Sequence, residues 1–114
     1  MHEIKIAEDL RKIILDVSFR NDLKKVTKVN LQFGALVQIV PDIFRFAFEE
    51  SSRNLIYEGA IMHLEILPVK VKCEKCHHEF SIERNGRYAC LNCNSNNIEI
   101  IQGKEILITS IEGE

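Results

Sequence analysis

Cys73–Glu74–Lys75–Cys76 and Cys90–Leu91–Asn92–Cys93 carry all four cysteines of this 114-residue chain, as two C-x2-C pairs with thirteen residues between them. A two-residue gap lets the backbone bend into a knuckle that aims both sulfurs at one point. Two facing knuckles place four thiolates about 2.3 Å from a tetrahedral zinc ion. With every position filled by protein, such a site leaves no opening for chemistry and is structural. Between the pairs, Asn85–Gly86 has the composition of a two-residue hairpin turn, whose positions both need positive φ. A hairpin linking two knuckles, here within Glu79–Ala89, is a zinc ribbon.

Other chemistries fit less well. Disulfides need an oxidising compartment, and Met1–His2–Glu3 is not the basic start of a secretory signal, so a cytoplasmic protein is expected. A redox C-x-x-C opens a helix after a strand, which these pairs do not. An iron site of rubredoxin type shares the spacing, but its usual Pro and Gly after the cysteines are missing here. His77–His78 directly follows Cys76, as two loop residues beside a closed site or as a source of an imidazole that replaces one sulfur.

His2 is the second chemical feature. Removal of the initiator methionine generally requires a small second residue, so Met1 is expected to stay and leave a free α-amine. That amine, the next backbone amides and the imidazole Nδ1 can close five- and six-membered chelate rings. Such nitrogen donors suit square-planar Ni(II) or Cu(II) rather than zinc.

Periodicity shows what must position these groups. From Ile4 to about Phe19, Ile4, Ala7, Leu10, Ile13, Ile14 and Val17 recur at helical spacing, while Glu3, Glu8, Asp9, Arg11 and Lys12 fall mostly elsewhere. Lys25–Gly34 alternates, with Val29, Leu31 and Phe33 on one face. Pro41 opens a second helix, whose apolar residues are Ile43, Phe44, Ala47 and Phe48, with its three phenylalanines, Phe46 included, read as core. A second strand covers Ala60–Leu67, with Ala60, Met62, Leu64 and Ile66 facing inward and His63 and Glu65 outward. After the cysteine-bearing insert, Lys104–Ile111 is again strand-like. The fold expected is α+β: two helices on a three-stranded sheet, with an inserted four-cysteine zinc-ribbon domain. An insert of about 34 residues folds only with help from its metal.

Composition narrows the function. The formal net charge is −2, and four thiolates with one Zn²⁺ make it more negative by two. Within Val69–Gln102, Lys70, Lys72, Lys75, Arg84 and Arg87 barely outnumber Glu74, Glu79, Glu83 and Glu99. A ribbon so weakly charged offers little for phosphate neutralisation, which counts against the alternative of a nucleic-acid or transcription-complex module. No apolar run approaches 18 residues, so no membrane span is expected. No nucleophile–base set built on His2 or His63 is apparent, so no enzyme is expected.

Met1–His2–Glu3, Val29–Asn30–Leu31–Gln32–Phe33–Gly34–Ala35–Leu36, Val40–Pro41–Asp42, Phe46–Ala47–Phe48–Glu49 and Tyr57–Glu58–Gly59–Ala60 form a further pattern. With the paired knuckles, Gly103–Lys104–Glu105–Ile106–Leu107–Ile108 and Ser110–Ile111–Glu112, they resemble the HypA/HybF family over nearly the whole chain. That resemblance implies a nickel metallochaperone for nickel–iron hydrogenase maturation, and in some organisms for urease. It implies His2 as principal nickel ligand, main-chain nitrogen from Met1, His2 or Glu3 beside it, and structural Zn(II) on Cys73, Cys76, Cys90 and Cys93. Ni(II) would be cargo. A nickel-binding maturation GTPase, the hydrogenase large subunit and urease maturation proteins are the partners implied, with the chain a monomer or homodimer. Residues 1–68 would form the nickel-binding domain, 69–102 the zinc ribbon, and 103–114 a strand returning to the first domain. The chain departs from the family pattern at Ile4, where Met is usual, and at Leu91 and Asn94, where Pro and Gly are common.

Overall fold

In the computed structural model, which describes residues 2–82, 89–90 and 92–114, the chain forms two helices and two three-stranded sheets. The order is α1 (His2–Arg20), β1 (Val26–Gly34), a 3-10 turn (Ala35–Val37) and α2 (Pro41–Ser51). There follow β2 (Ile61–Leu67), β3 (Lys70–Cys73), β4 (Glu79–Ser81), β5 (Ile98–Gln102) and β6 (Ile106–Gly113). The expected α+β class is the one found. The Asn85–Gly86 turn lies outside the described residues, as do Met1 and Leu91.

Two compact units emerge, one of Met1–Gln32, Ile39–Glu65 and Leu107–Glu114, the other of Phe33–Gln38 and Ile66–Ile106. In the first, β1 is the central strand of a sheet ordered β2–β1–β6. Thus β2 and β6, far apart in sequence, share a sheet as expected, with β1 between them. The core is built from Ile6, Ala7, Leu10 and Ile14 of α1, Val26, Val29 and Leu31 of β1, and Phe44, Ala47 and Phe48 of α2. Tyr57 is fully buried among them, its ring centroid 5.3 Å from that of Phe48, and its hydroxyl donates to the Ser51 carbonyl at 3.1 Å. A buried phenol needs such a partner.

The buried stripe of α1 differs from the expected one. It runs Glu3, Ile6, Ala7, Leu10, Ile14 and Ser18, while Ile4 and Ile13 are exposed. Both stripes have helical spacing, so period alone does not separate them. Glu3 decides the rotation: it is 5% exposed because its Oε2 accepts the Val40 backbone N–H at 3.1 Å, at the start of α2. In α2, Phe46 faces solvent rather than core, and on the β2 face expected to point inward Ile66 is exposed while Met62 and Leu64 are half-buried. Helix α1 ends at Arg20, and Asp22 just beyond it takes φ 54°, letting the Leu23 N–H reach the Ser18 carbonyl at 2.9 Å.

The second unit is not a hairpin alone. Its sheet is ordered β4–β3–β5, so β3 is the central strand, antiparallel to both neighbours. Val71 pairs with Phe80 on one side and Ile100 on the other, and is fully buried. The segment Phe33–Gln38 joins this unit through Gly34, whose N–H donates to the Glu105 carbonyl at 2.8 Å. Gly34 has ordinary extended dihedrals, φ −67° and ψ 147°. Its constraint is approach: a Cβ there would lie 2.0 Å from both C and O of Gly103.

Two stability predictions come from these contacts. Gly34→Ala sets a methyl against main chain that cannot rotate aside, and is expected to cost about 1–3 kcal/mol or more. The Ser18 hydroxyl is buried and has no hydrogen-bond partner among the described residues, so Ser18→Ala is expected to raise stability by about 0.5–1 kcal/mol. Urea unfolding of both variants checks the two signs.

Candidate metal centre

The central strand β3 delivers Cys73, fully buried, at its end, where it pairs with Ile98 of β5. From there the two knuckles are built alike. In the first, the Cys73 N–H donates to the His78 carbonyl and the His77 N–H to the Cys73 carbonyl, both at 2.9 Å. In the second, the Cys90 N–H donates to the Ser95 carbonyl at 2.8 Å and the Asn94 N–H to the Cys90 carbonyl at 2.9 Å. The residue after each second cysteine closes the turn in the left-handed region, His77 at φ 63° and Asn94 at φ 61°. The Glu74 N–H, donating to the Asn97 carbonyl at 2.9 Å, ties one knuckle to the other.

The four Sγ atoms lie within 4.8 Å of one another. Cys73 and Cys93 are 3.6 Å apart at sulfur, Cys76 and Cys90 3.5 Å. A tetrahedron with 2.3 Å metal–sulfur bonds has edges of about 3.8 Å, so these two edges need a few tenths of an ångström of movement, and all four sulfurs lie within about an ångström of the spacing a four-thiolate ion requires. Donors converge on them from the main chain: the Cys76 N–H on Cys73 Sγ (3.5 Å), and the Asn92 and Cys93 N–H groups on Cys90 Sγ (3.3 and 3.4 Å). The Asn92 side-chain amide adds a contact to Cys76 Sγ at 3.6 Å.

Those donors sort the protons. The His78 backbone N–H, and then the Asn92 amide, pull the Cys76 thiol down to about 6. The Cys76 N–H likewise lowers Cys73, against some desolvation. Cys93 goes the other way, to about 11, because the help of the Ser95 N–H is outweighed by desolvation and by the neighbouring sulfurs. Sulfurs so close cannot all be anionic unless a cation sits among them.

Among the described residues these cysteines form the group of His, Cys, Asp or Glu side chains close enough to share an ion, and no histidine belongs to it. His77 and His78 are exposed, the His78 ring stacking on Phe80 at 5.8 Å. His63 is exposed on β2. His2 opens α1 in the first unit with its side chain 53% exposed, its Nε2 3.6 Å from Glu3 Oε2. The Val40 N–H, and Glu3's own N–H, hold the Glu3 carboxyl below the usual range. Met1, expected beside them, lies outside the described residues. Sequence reasoning missed the Glu3 carboxylate and the Asn92 contact. An acidic residue in a first helical turn was the available signal for Glu3, but its partner is 37 positions away.

Comparison with known proteins bears on both places. The family model described as "Hydrogenase/urease nickel incorporation, metallochaperone, hypA" matches residues 1–113. A hydrogenase maturation factor HypA from Dehalococcoides mccartyi is 35% identical over 112 residues, covering 98% of this chain and 93% of that protein. The hydrogenase maturation factor HybF of Klebsiella pneumoniae is 27% identical over the full length of both. The solution structure of the Ni metallochaperone HypA from Helicobacter pylori superposes with a TM-score of 0.71 at 25% identity, over 97% of this chain and 96% of that one. A second HypA solution structure gives 0.77 at 26% identity, over 100% and 97%.

The four-sulfur geometry predicts one tightly held metal ion per chain, with sulfur as its whole first coordination sphere by X-ray absorption. Cys73→Ser, or stripping by a strong chelator, is expected to unfold β3–β5 while the helical circular dichroism of α1 and α2 persists. Undiminished hydrogen-exchange protection of β3 in metal-free protein would show that the ion is dispensable.

Proposed function

The chain belongs to the HypA family of hydrogenase/urease nickel-incorporation metallochaperones, and from that membership we propose that it binds Ni(II) as cargo at its N-terminus. The family consists of metallochaperones and maturation factors, not enzymes. The donor set proposed is His2 Nδ1 with main-chain nitrogen from Met1, His2 and Glu3. Cys73, Cys76, Cys90 and Cys93 hold a structural Zn(II), which supplies cross-linking and no reaction step. We assign nickel binding to residues 1–68 with 103–114, and zinc to 69–102. The ion passes, with a nickel-binding GTPase, to the large subunit of a nickel–iron hydrogenase in the cytoplasm. Urease maturation proteins are the second class of recipient. No helix among the described residues is long and apolar enough to cross a membrane.

The observation that carries this reading is the start of α1. The helix begins at His2 with the imidazole in solvent, and the N–H groups of a first helical turn have no carbonyl within the helix to bond. Backbone amides there can therefore lose their protons to a metal ion without breaking the helix ladder. Because each donor must shed a proton before binding, acid favours release.

The experiment is calorimetry on tag-free protein. His2→Ala, or acetylation of the Met1 amine, is expected to abolish stoichiometric Ni(II) binding and leave zinc in place, since each change removes a nitrogen donor and a chelate ring. Affinity in the unmodified chain should fall as the pH is lowered below neutrality. Unchanged nickel affinity in either variant would move the site elsewhere.

A further inference from the structure

A groove of about 810 Å³ runs between α1 and β6 in the first unit, with Ile13, Val17 and Leu23 on one side and Ile108–Gly113 on the other. Side chains of a strand alternate between its two faces, so a run of six successive residues borders the groove with its backbone edge. In the sheet ordered β2–β1–β6 that edge has no neighbour among the described residues. Edge strands are commonly guarded by Lys, Pro or a bulge, and Ile106–Gly113 contains neither Lys nor Pro.

What the groove can bind follows from which of its polar groups are already bonded. Thr109 Oγ1 donates to the Asn30 carbonyl (3.3 Å), Ser110 Oγ accepts from Asn30 Nδ2 (2.7 Å), and Asn21 Nδ2 donates to the Val17 carbonyl (2.8 Å). Glu112 differs. It is exposed near the C-terminal end of β6, and its carboxylate has no hydrogen-bond or ion-pair partner among the described residues. The groove therefore offers three things: apolar walls, of which Ile13 is 49% exposed, a row of main-chain groups without a neighbouring strand, and one anionic side chain.

We propose that this groove docks an extended segment of a partner protein, apolar at alternate positions and basic at its N-terminal end, which joins the sheet as a fourth strand beside β6. A helix or a small molecule would leave the main-chain edge to water. A strand pairs it, and alternate side chains turn inward against Ile13, Val17 and Leu23. Antiparallel addition is the more stable and sets the N-terminal end of the segment beside Glu112, where a Lys or Arg meets the carboxylate. A second copy of β6 lacks that pattern: paired antiparallel about Thr109, it brings Ile106 rather than a cation to Glu112. The groove begins at Ile13, about 16 Å along α1 from His2 at 1.5 Å per residue. A docked segment thus leaves the proposed nickel donors uncovered, and its binding does not rest on them.

The test is nuclear magnetic resonance with hydrogen exchange on the whole, metal-loaded, tag-free chain, titrated with the blocked peptide acetyl-Lys-Val-Thr-Val-Thr-Val-amide. Amide signals of Leu107–Gly113 are expected to shift saturably, and those that gain a partner to exchange at least about tenfold more slowly. N-methylation of alternate peptide residues should abolish binding in one of its two phases, because it removes the donors that face β6. A peptide with Glu in place of Lys should bind about fivefold more weakly, and Glu112→Lys should reverse that preference with circular dichroism and metal content unchanged. Absence of a saturable shift at millimolar peptide, shifts confined to residues outside the groove, or indifference to N-methylation would each overturn the proposal. So would a charge preference that survives Glu112→Lys, or a chain of doubled mass whose β6 amides are protected before any peptide is added.

Discussion

Four sulfur atoms within 4.8 Å of one another are the constraint on which the second unit depends. Among the described residues its strands are three to five residues long, and the buried apolar residues it contributes are Phe33, Val71, Cys73 and Cys90. So small a core cannot repay the entropy of ordering the surrounding loops. A structural zinc site supplies about 10 kcal/mol or more of apparent binding free energy. The protein's own hydrogen bonds go partway: they favour Cys73 and Cys76 as thiolates while Cys93 keeps its proton. The remaining charge is left for an ion to balance. Metal and fold are thus two sides of one equilibrium in this unit.

The knuckles show how that constraint tolerates sequence change. Each must turn through the left-handed region just after its second cysteine, a position glycine fills without steric cost. Here His77 and Asn94 fill it, and Asn is among the residues that enter this region most readily. The departure from glycine at Asn94 therefore leaves the turn intact. The same logic fails at Gly34, where the demand is absence of a side chain rather than an unusual dihedral angle.

Signals confined to one element were legible in the sequence. The switch from helical spacing to alternation located α1 and β1, Pro41 marked the start of α2, and the cysteine spacing brought four sulfurs together. What was not legible depended on partners distant in sequence. Glu3 falls off the apolar face by its spacing, and nothing near it in sequence signals burial, because the Val40 N–H it accepts belongs to another part of the chain. That contact turns α1 so that Ile6 is buried and Ile4 is not. Phe46 has the composition of a core residue, yet Phe44 and Phe48 leave it on the outer side of α2. The strand β3 was hidden because Lys70–Val71–Lys72–Cys73 contributes one apolar residue before its cysteine, too little for a pattern.

The proposed nickel donors raise an electrostatic difficulty whose solution bears on selectivity. A helix N-terminus carries about half a positive charge and favours anions, so it is a poor place for a bare divalent cation. Amides that have lost their protons reverse the sign. Two such nitrogens bring two negative charges, which the helix end stabilises and which neutralise the ion they bind. Only an ion able to displace amide protons gains from this arrangement, as Ni(II) and Cu(II) can in a square plane while zinc prefers thiolate or imidazole in a tetrahedron. Glu3, anchored on Val40 from the buried side, holds the helix start in place while leaving His2 in solvent. With the proposed donors, cargo and structural ion would be told apart by geometry and protonation chemistry. A gradient of raw affinity would then be unnecessary.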